Sequence, residues 1–167
     1  MIDLLPSLEL PSVLQPGRLD CRVLVVDDRR DVRHISQHFL EKAGASVTTA
    51  EDGQEGVEVA LAARETGKSY DVIVMDMQMP KVDGLQAIAM LRSADVQGPI
   101  IALTADAMKG DRKRCINGGC EDYLAKPIDH GALVEMVRKY AHEVSVEQLQ
   151  QRRTQRASDS QNQREQV

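Results

Sequence analysis

The sequence predicts a doubly wound α/β fold, in which a five-stranded parallel sheet carries helices on both faces. Short apolar runs alternate with stretches whose apolar residues recur at helical spacing. Most of the runs are apolar almost throughout, not at every second position, which is typical of parallel strands buried on both faces. Right-handed crossovers between such strands distribute the helices over the two faces.

Each predicted strand is followed by a predicted helix. The strands are RVLVV (22–26), ASVTTA (45–50), DVIVM (71–75), PIIAL (99–103) and DYLA (122–125). After the first strand, Val32, Ile35 and Phe39 lie at helical spacing. Leu40 extends that face, and Gly44 ends the helix. Four further helices are predicted at 53–67, 85–91, 107–117 and 133–140.

The two ends of the chain differ in composition from its centre. Prolines at positions 6, 11 and 16 interrupt regular structure, so residues 1–20 are interpreted as a linker. Residues 21–142 form the predicted folded domain. Residues 143–167 are rich in Gln, Arg, Ser and Glu, and they are predicted to contain a helix extension and a disordered tail.

The composition argues against nucleic-acid-binding, disulfide-rich and membrane-spanning proteins. The net charge of −5 and the lack of a basic stripe with aromatic residues argue against nucleic acid as a partner. Three cysteines do not make a disulfide framework and favour a reducing compartment. The sequence has no apolar run long enough to span a membrane and no signal peptide. We therefore expect a cytoplasmic protein without direct membrane contact.

Polar residues stand at the ends of four predicted strands. They are Asp27 and Asp28 after the first, Asp76 after the third, Thr104 after the fourth and Lys126 after the fifth. The carboxyl ends of parallel strands meet at one rim of the sheet, where sites of doubly wound folds form. Three carboxylates on one rim repel one another unless a hard cation such as Mg²⁺ or Mn²⁺ lies among them.

The same rim suggests phosphoryl chemistry. Asp76 stands alone at its strand end, so it is the candidate nucleophile that forms an aspartyl-phosphate. The ammonium of Lys126 and the hydroxyl of Thr104 suit phosphoryl oxygens. The aspartate pair is better suited to hold the cation.

Four motifs together resemble one family. VLVVDD, MDMQMPKVDG, LTA and YLAKP, in this order over about 22–141, resemble the receiver (response-regulator) domain of two-component signalling. The resemblance implies a flavodoxin-like sheet of order 2-1-3-4-5. It also implies that Asp76 is the phosphoacceptor and that Asp28, Asp76 and the backbone carbonyl of Gln78 bind the cation directly. Asp27 would bind it through water.

The resemblance also assigns a switch. Thr104 and Lys126 would sense the phosphoryl group, and Lys126 and Pro127 would be joined by a cis peptide bond. Tyr123 would be the switch aromatic that turns inward when Thr104 moves. Ala105 is small enough to leave room for that movement.

The resemblance implies a phosphorelay module. The phosphoryl group would come from a phosphohistidine of a histidine kinase or a histidine phosphotransfer domain, docked on the first helix and the rim loops. The module would catalyse its own phosphorylation and dephosphorylation without being a turnover enzyme. A homodimer through the surface of helix four, strand five and helix five is compatible with the family.

Three settings are compatible with these motifs. The run from Ala102 to Asp129 and the proline-interrupted start favour the receiver of a hybrid sensor histidine kinase, whose parent chain would be a kinase. A stand-alone response regulator is the second interpretation, and a docking module that is not phosphorylated is the third. A haloacid-dehalogenase-type phosphatase is disfavoured because Gln78 stands where that chemistry needs a second acid. A nucleotide-binding switch is disfavoured because the sequence lacks a glycine-rich phosphate loop.

Overall fold

Five parallel strands form one sheet in the computed structural model, which describes residues 18–105 and 109–165. The strands are β1 (Arg22–Val26), β2 (Ser46–Ala50), β3 (Val72–Asp76), β4 (Ile100–Thr104) and β5 (Asp122–Ala125). Their order across the sheet is β2-β1-β3-β4-β5, and every neighbouring pair is parallel. The predicted fold class and strand order are therefore confirmed. Asp76 and Thr104 are the last residues of their strands instead of the first residues beyond them.

Among the described residues, four helices connect the strands, and two more follow the last strand. They are α1 (Arg30–Lys42), α2 (Gly53–Glu65), α3 (Gly84–Ser93), α4 (Lys109–Asn117), α5 (His130–Arg138) and α6 (Val146–Glu165), with a π-helical turn at Lys139–Glu143 between α5 and α6. Asp52, Asp83 and Asp129 cap α2, α3 and α5 by accepting a backbone N–H of the first turn. The predicted start of α4 at 107 lies outside the described residues.

Two apolar layers cover the sheet. On one face, Leu24, Val26, Ile73 and Met75 pack against α2, α3 and α4. On the other face, alternate residues of the same strands pack against Leu40 of α1 and against α5. Successive side chains of a strand point to opposite faces, so a run that is apolar throughout serves both layers.

The buried face of α1 differs from the predicted one. Arg33, Ser36 and Leu40 are buried, whereas Ile35 and Phe39 are 45% and 39% exposed. The apolar residues alone suggested a face rotated from the real one. The physical reason is that the guanidinium of Arg33 finds acceptors beneath the helix, which allows a charged residue to replace an apolar one there.

The segment predicted to contain a helix extension and a disordered tail forms one long helix, α6, over Val146–Glu165. One apolar and one charged anchor hold this polar helix. Leu149 is 1% exposed within the layer that contains α1 and α5. Arg153, one turn further along, pairs with the buried Glu121 just before β5. The helix thus crosses the amino-terminal end of the sheet. Most of the predicted linker, residues 1–17, lies outside the described residues.

Candidate functional site

The predicted rim residues lie together. Asp27 follows β1, Asp76 and Thr104 end β3 and β4, and Lys126 follows β5. One carboxylate oxygen from each of Asp27, Asp28 and Asp76 lies within 4.8 Å of the others. Asp27 and Asp76 are almost fully buried, whereas Asp28 is exposed. The parallel topology therefore brings into one cluster acids that are up to 49 positions apart in the numbering of the chain.

Lys126 bridges two of these acids. Its Nζ lies 3.0 Å from Asp76 Oδ1 and 3.3 Å from Asp27 Oδ2. The Lys126 backbone N–H donates to the carbonyl of Thr104 at 2.7 Å, which fixes the start of the lysine segment against β4. The peptide bond between Lys126 and Pro127 is cis. The single ammonium of Lys126 does not neutralise a cluster of three carboxylates, so the cluster has an excess of negative charge.

Burial changes the acidity of Asp76. It raises the pKa of this carboxyl from 3.8 to about 6, and the nearby charge of Asp27 acts in the same direction. The Gln78 backbone N–H, 3.1 Å from Asp76 Oδ1, and the Lys126 ammonium oppose the rise. Loss of solvent contact outweighs both, so the ionised form of Asp76 is held at a cost in free energy.

The oxygen atoms of the cluster suit a hard cation. Among the described residues, Asp76 Oδ2 and Asp27 Oδ2 are buried without a hydrogen-bond partner, although Asp27 Oδ2 is at ion-pair distance from Lys126. Unpaired buried carboxylate oxygens are costly unless a cation meets them. The exposed Asp28 adds a third carboxylate on the open side. Three carboxylates with access to water match the ligand preference of Mg²⁺, which keeps several waters.

Arg33 was not predicted as part of the site. Its Nη1 donates to the Asp27 carbonyl at 2.9 Å, and its Nη2 lies 3.3 Å from Glu51 Oε1. The Asp27 side chain in turn accepts the Arg29 backbone N–H at 2.9 Å. Arg33 therefore holds the turn that carries the acid pair. Its helical spacing to Leu40 was the available signal, but a charged residue is not ordinarily assigned to a buried face.

The predicted switch residues lie beside a cleft. Thr104, Gln78, Leu85 and Cys115 contribute to a cavity of about 300 Å³ between the β3–α3 loop and α4. Tyr123 is half-buried and packs against the apolar layer on the α4 side of the sheet. Space therefore exists next to the threonine side chain. The switch roles of Thr104, Ala105 and Tyr123 remain predictions.

Gly84 fits the site closely. A Cβ atom at this position would lie 2.4 Å from the Asp76 carbonyl oxygen and 2.7 Å from the Met77 Cα. Both are backbone atoms, so Gly84→Ala must displace the segment that carries Asp76 or the start of α3. We expect a loss of about 1 to 3 kcal/mol in the free energy of unfolding.

Urea denaturation measures the effect of Gly84→Ala. Gly110→Ala in α4 is the matched control, because nothing lies within 4 Å of the added Cβ there. It should leave stability unchanged or raise it by up to about 1 kcal/mol. Equal behaviour of the two variants would contradict the close fit at Gly84.

Comparison with known proteins identifies the family. The chain matches the family described as "Response regulator receiver domain" over residues 23–138, which is more than half of its length. The chain belongs to the response regulator receiver family. As a receiver of two-component phosphorelays, it has the fold and the acid cluster that the sequence predicts. The family match ends before α6 begins.

Two relatives of this receiver differ greatly in length. Hybrid signal transduction histidine kinase I of Dictyostelium discoideum is 35% identical over 70% of this chain, which spans only 7% of that kinase. The polar-differentiation response regulator DivK of Brucella anthropi is 34% identical over 71% of this chain and 94% of its own length. Receivers like this one therefore occur both inside large kinases and as small separate proteins.

Solved structures agree with the receiver assignment. The receiver domain of the sensor histidine kinase PA1611 from Pseudomonas aeruginosa, solved with magnesium in its active-site cleft, is 34% identical, with a TM-score of 0.64 over 72% of this chain and 97% of that one. A co-crystal structure of the receiver domain of Ssk1 and the histidine phosphotransfer protein Ypd1, both from Saccharomyces cerevisiae, also matches. The identity is 28%, with a TM-score of 0.67 over 74% of this chain and 90% of that one.

In the ranges that the structure of this receiver describes, no helix is long and apolar enough to cross a membrane.

Proposed function

We propose that Asp76 of this receiver accepts a phosphoryl group from a phosphohistidine in a reaction that depends on Mg²⁺. The observation that carries this proposal is the position of the Asp76 carboxylate between a fixed ammonium and an acid pair. Lys126 Nζ lies 3.0 Å from Asp76 Oδ1. Ligand oxygens of Asp27 and Asp28 lie within 4.8 Å of the same carboxylate.

Transfer of the phosphoryl group needs no reactant besides the donor and Asp76. A carboxylate oxygen of Asp76 forms a bond to phosphorus while the bond between phosphorus and the imidazole nitrogen of the donor breaks. The imidazole leaves with the electron pair of that bond and takes up a proton from solvent. Lys126 stabilises negative charge on the phosphoryl oxygens, and Thr104 donates its hydroxyl to one of them.

The acid pair supports this chemistry. Asp27, Asp28 and the Gln78 carbonyl would hold Mg²⁺ together with Asp76. Bound there, Mg²⁺ would neutralise charge on the carboxylates and on the group in transfer. The role of Arg33 is to keep the backbone of Asp27 in place, which it does through a hydrogen bond of 2.9 Å to the carbonyl. The partly unpaired oxygens of the cluster support this assignment.

The donor would bind at α1. Ile35 and Phe39 are the more exposed of the large apolar side chains on that helix, which begins directly after the turn that carries Asp27 and Asp28. Exposed apolar side chains near a polar site favour a protein partner. A histidine phosphotransfer domain or a kinase domain carrying the phosphohistidine is therefore the proposed partner.

The relatives of the receiver suggest two settings for it. We favour the receiver segment of a hybrid sensor histidine kinase, since kinases of that kind match the chain and contain receivers as a small part of their length. A separate response regulator like DivK is the second candidate, because that relative is matched over almost its whole length. Phosphorylation of Asp76 is common to both.

Intact-mass labelling tests the proposal. Incubated with acetyl phosphate and Mg²⁺, the wild-type chain should gain one phosphoryl group, and it should gain none when Mg²⁺ is removed. Asp76→Asn should abolish labelling, because the amide is not a nucleophile towards phosphorus. Asp83→Asn is the matched control, since Asp83 is the helix cap on the loop that follows Asp76 and asparagine also caps helices.

Two results would contradict the proposed phosphoacceptor. One is labelling that persists in Asp76→Asn. The other is a wild-type chain that stays unlabelled although Asp83→Asn and wild type both fold. The second result would favour a docking module that is not phosphorylated.

A further inference from the structure

A groove lined by arginines lies at the end of the sheet opposite the acid cluster. Glu121 marks this end, because it precedes β5 and its Oε2 accepts the backbone N–H of Ile100, the first residue of β4, at 2.7 Å. One wall of the groove is α6, and the other contains the end of α4 and the connection to β5. Its volume is about 540 Å³. The family match over residues 23–138 does not include α6, which forms one wall of the groove.

Four arginines concentrate positive charge in the groove. They are Arg92, Arg153, Arg156 and Arg164. The chain as a whole carries a net charge of −5, so the positive charge in the groove is opposite in sign to the net charge of the chain. Glu121, the carboxylate beneath the groove, is shared by Arg92 and Arg153. One carboxylate against four guanidinium groups leaves an excess of positive charge among the described lining residues.

Two of the arginines are fixed in place. Arg92 donates to the carbonyls of Val96, Gly98 and Gly119 as well as to Glu121. Arg153 donates to Glu121 at 2.7 Å and to the Gln97 carbonyl at 2.9 Å. Burial lowers the pKa of Arg92 to about 10, and the neighbouring Arg153 adds to that effect against the charge of Glu121. Arg92 nevertheless stays charged at neutral pH, and the two fixed guanidinium groups provide a preorganised positive floor.

The other two arginines are less constrained. Arg156 is half-buried and makes one long contact, 3.4 Å, with the Cys120 carbonyl. Arg164, two turns further along α6, is exposed. The planar fork of a guanidinium binds phosphate oxygens in pairs. The side-chain amides of Gln97, Asn117 and Gln161 add neutral hydrogen-bonding groups to the lining.

We propose that this groove binds a small anion with several phosphate groups. The volume lies within the range of small-molecule sites. Nucleic acid is a poorer fit, because no aromatic side chain is among the described residues that line the groove and the rest of the chain is acidic. The ligand is recognised by its charge and phosphate oxygens. Its site is separated from Asp76 by the length of β4 and β5.

Binding of inorganic tripolyphosphate tests the groove. In metal-free buffer of low ionic strength, titration calorimetry should show saturable binding to the full chain with one site, and inorganic monophosphate should bind more weakly. Amide NMR shifts should change at Gln97, Asn117, Gly119 and along α6. Shifts confined to the rim around Thr104 and Lys126 would overturn the proposal.

Two variants and a control distinguish a specific anion site from nonspecific electrostatic attraction to the chain. Arg156→Gln should weaken binding roughly tenfold, since one charge-assisted contact is lost. Arg164→Gln should weaken it as well, and this variant leaves the Leu149 and Arg153 anchors of α6 unchanged. Arg152→Gln removes the same charge from the exposed face of α6 outside the groove and should have little effect. No saturable binding, or an equal loss in all three variants, would overturn the proposal.

Discussion

Asp76→Asn is expected to stabilise the metal-free receiver at neutral pH by on the order of 2 to 3 kcal/mol. The ionised Asp76 carboxylate is buried beside Asp27, and its pKa is raised from 3.8 to about 6. Asparagine has nearly the shape of the protonated acid and carries no charge, so the cost of holding the anion disappears. The same substitution is expected to abolish phosphorylation, so stability and function oppose each other at this position.

The effect should depend on pH in one direction. The folded state holds the Asp76 proton more tightly than the unfolded state, so the free energy of unfolding falls as pH rises from 3.8 to about 6 and then levels off. The destabilisation by Asp76 is therefore fully present above about pH 6 and disappears towards pH 3.8. The advantage of Asp76→Asn should shrink accordingly.

Urea denaturation in metal-free buffer across this pH range measures the effect. Asp95→Asn is the control, because Asp95 is exposed and distant from the rim in the fold, and it should change stability by less than about 0.5 kcal/mol. If Asp76→Asn is less stable than wild type at neutral pH, the attraction between Lys126 and Asp76 outweighs burial and the interpretation is wrong.

Glu121→Gln is expected to destabilise the receiver by about 3 kcal/mol. The Glu121 side chain is 4% exposed, and it accepts from Ile100 of β4, Arg92 of α3 and Arg153 of α6. Glutamine keeps the size and an acceptor for the Ile100 N–H. It removes the only carboxylate that either guanidinium contacts among the described residues, so two mostly buried cations face each other without compensation.

Urea denaturation of Glu121→Gln and Glu135→Gln compares a buried with a surface ion pair. Glu135 pairs with Arg138 at the surface and is 72% exposed, so its replacement should cost less than about 0.5 kcal/mol. Adding Arg153→Gln to Glu121→Gln should recover part of the loss, because it removes one of the uncompensated charges. A cost for Glu121→Gln no larger than that for Glu135→Gln would refute the role of Glu121.

The fold was predictable because strands of a sheet that is covered on both faces are apolar at nearly every position. Runs such as RVLVV and PIIAL are too short for a buried helix and too apolar for a surface loop, which leaves a buried strand. The rim site was predictable for a topological reason, since parallel strands bring their carboxyl ends together wherever their residues stand in the sequence. Asp27, Asp76 and Lys126 needed no knowledge of side-chain packing to be placed together.

Features that depend on a distant partner were not predictable. Arg33 can be buried because its guanidinium meets the Asp27 carbonyl and Glu51. Local apolar periodicity predicted instead that Ile35 and Phe39 lie on the buried face. The polar composition of the tail predicted a helix extension followed by disorder, and it gave no sign of the residues that anchor the helix. Leu149 and Arg153 stabilise α6 through contacts with residues far away in sequence, which local polarity does not reveal.

Because α6 packs onto the sheet, the end of the folded unit and the end of the family match fall at different residues. The family match ends at residue 138, before α6. Leu149 nevertheless completes the apolar layer beneath α1 and α5, and Arg153 neutralises a carboxylate buried at the starts of β4 and β5. The stretch of this chain whose side chains pack into one folded unit is therefore longer than the stretch that matches the family, and it extends from the end of the sheet opposite the acid cluster.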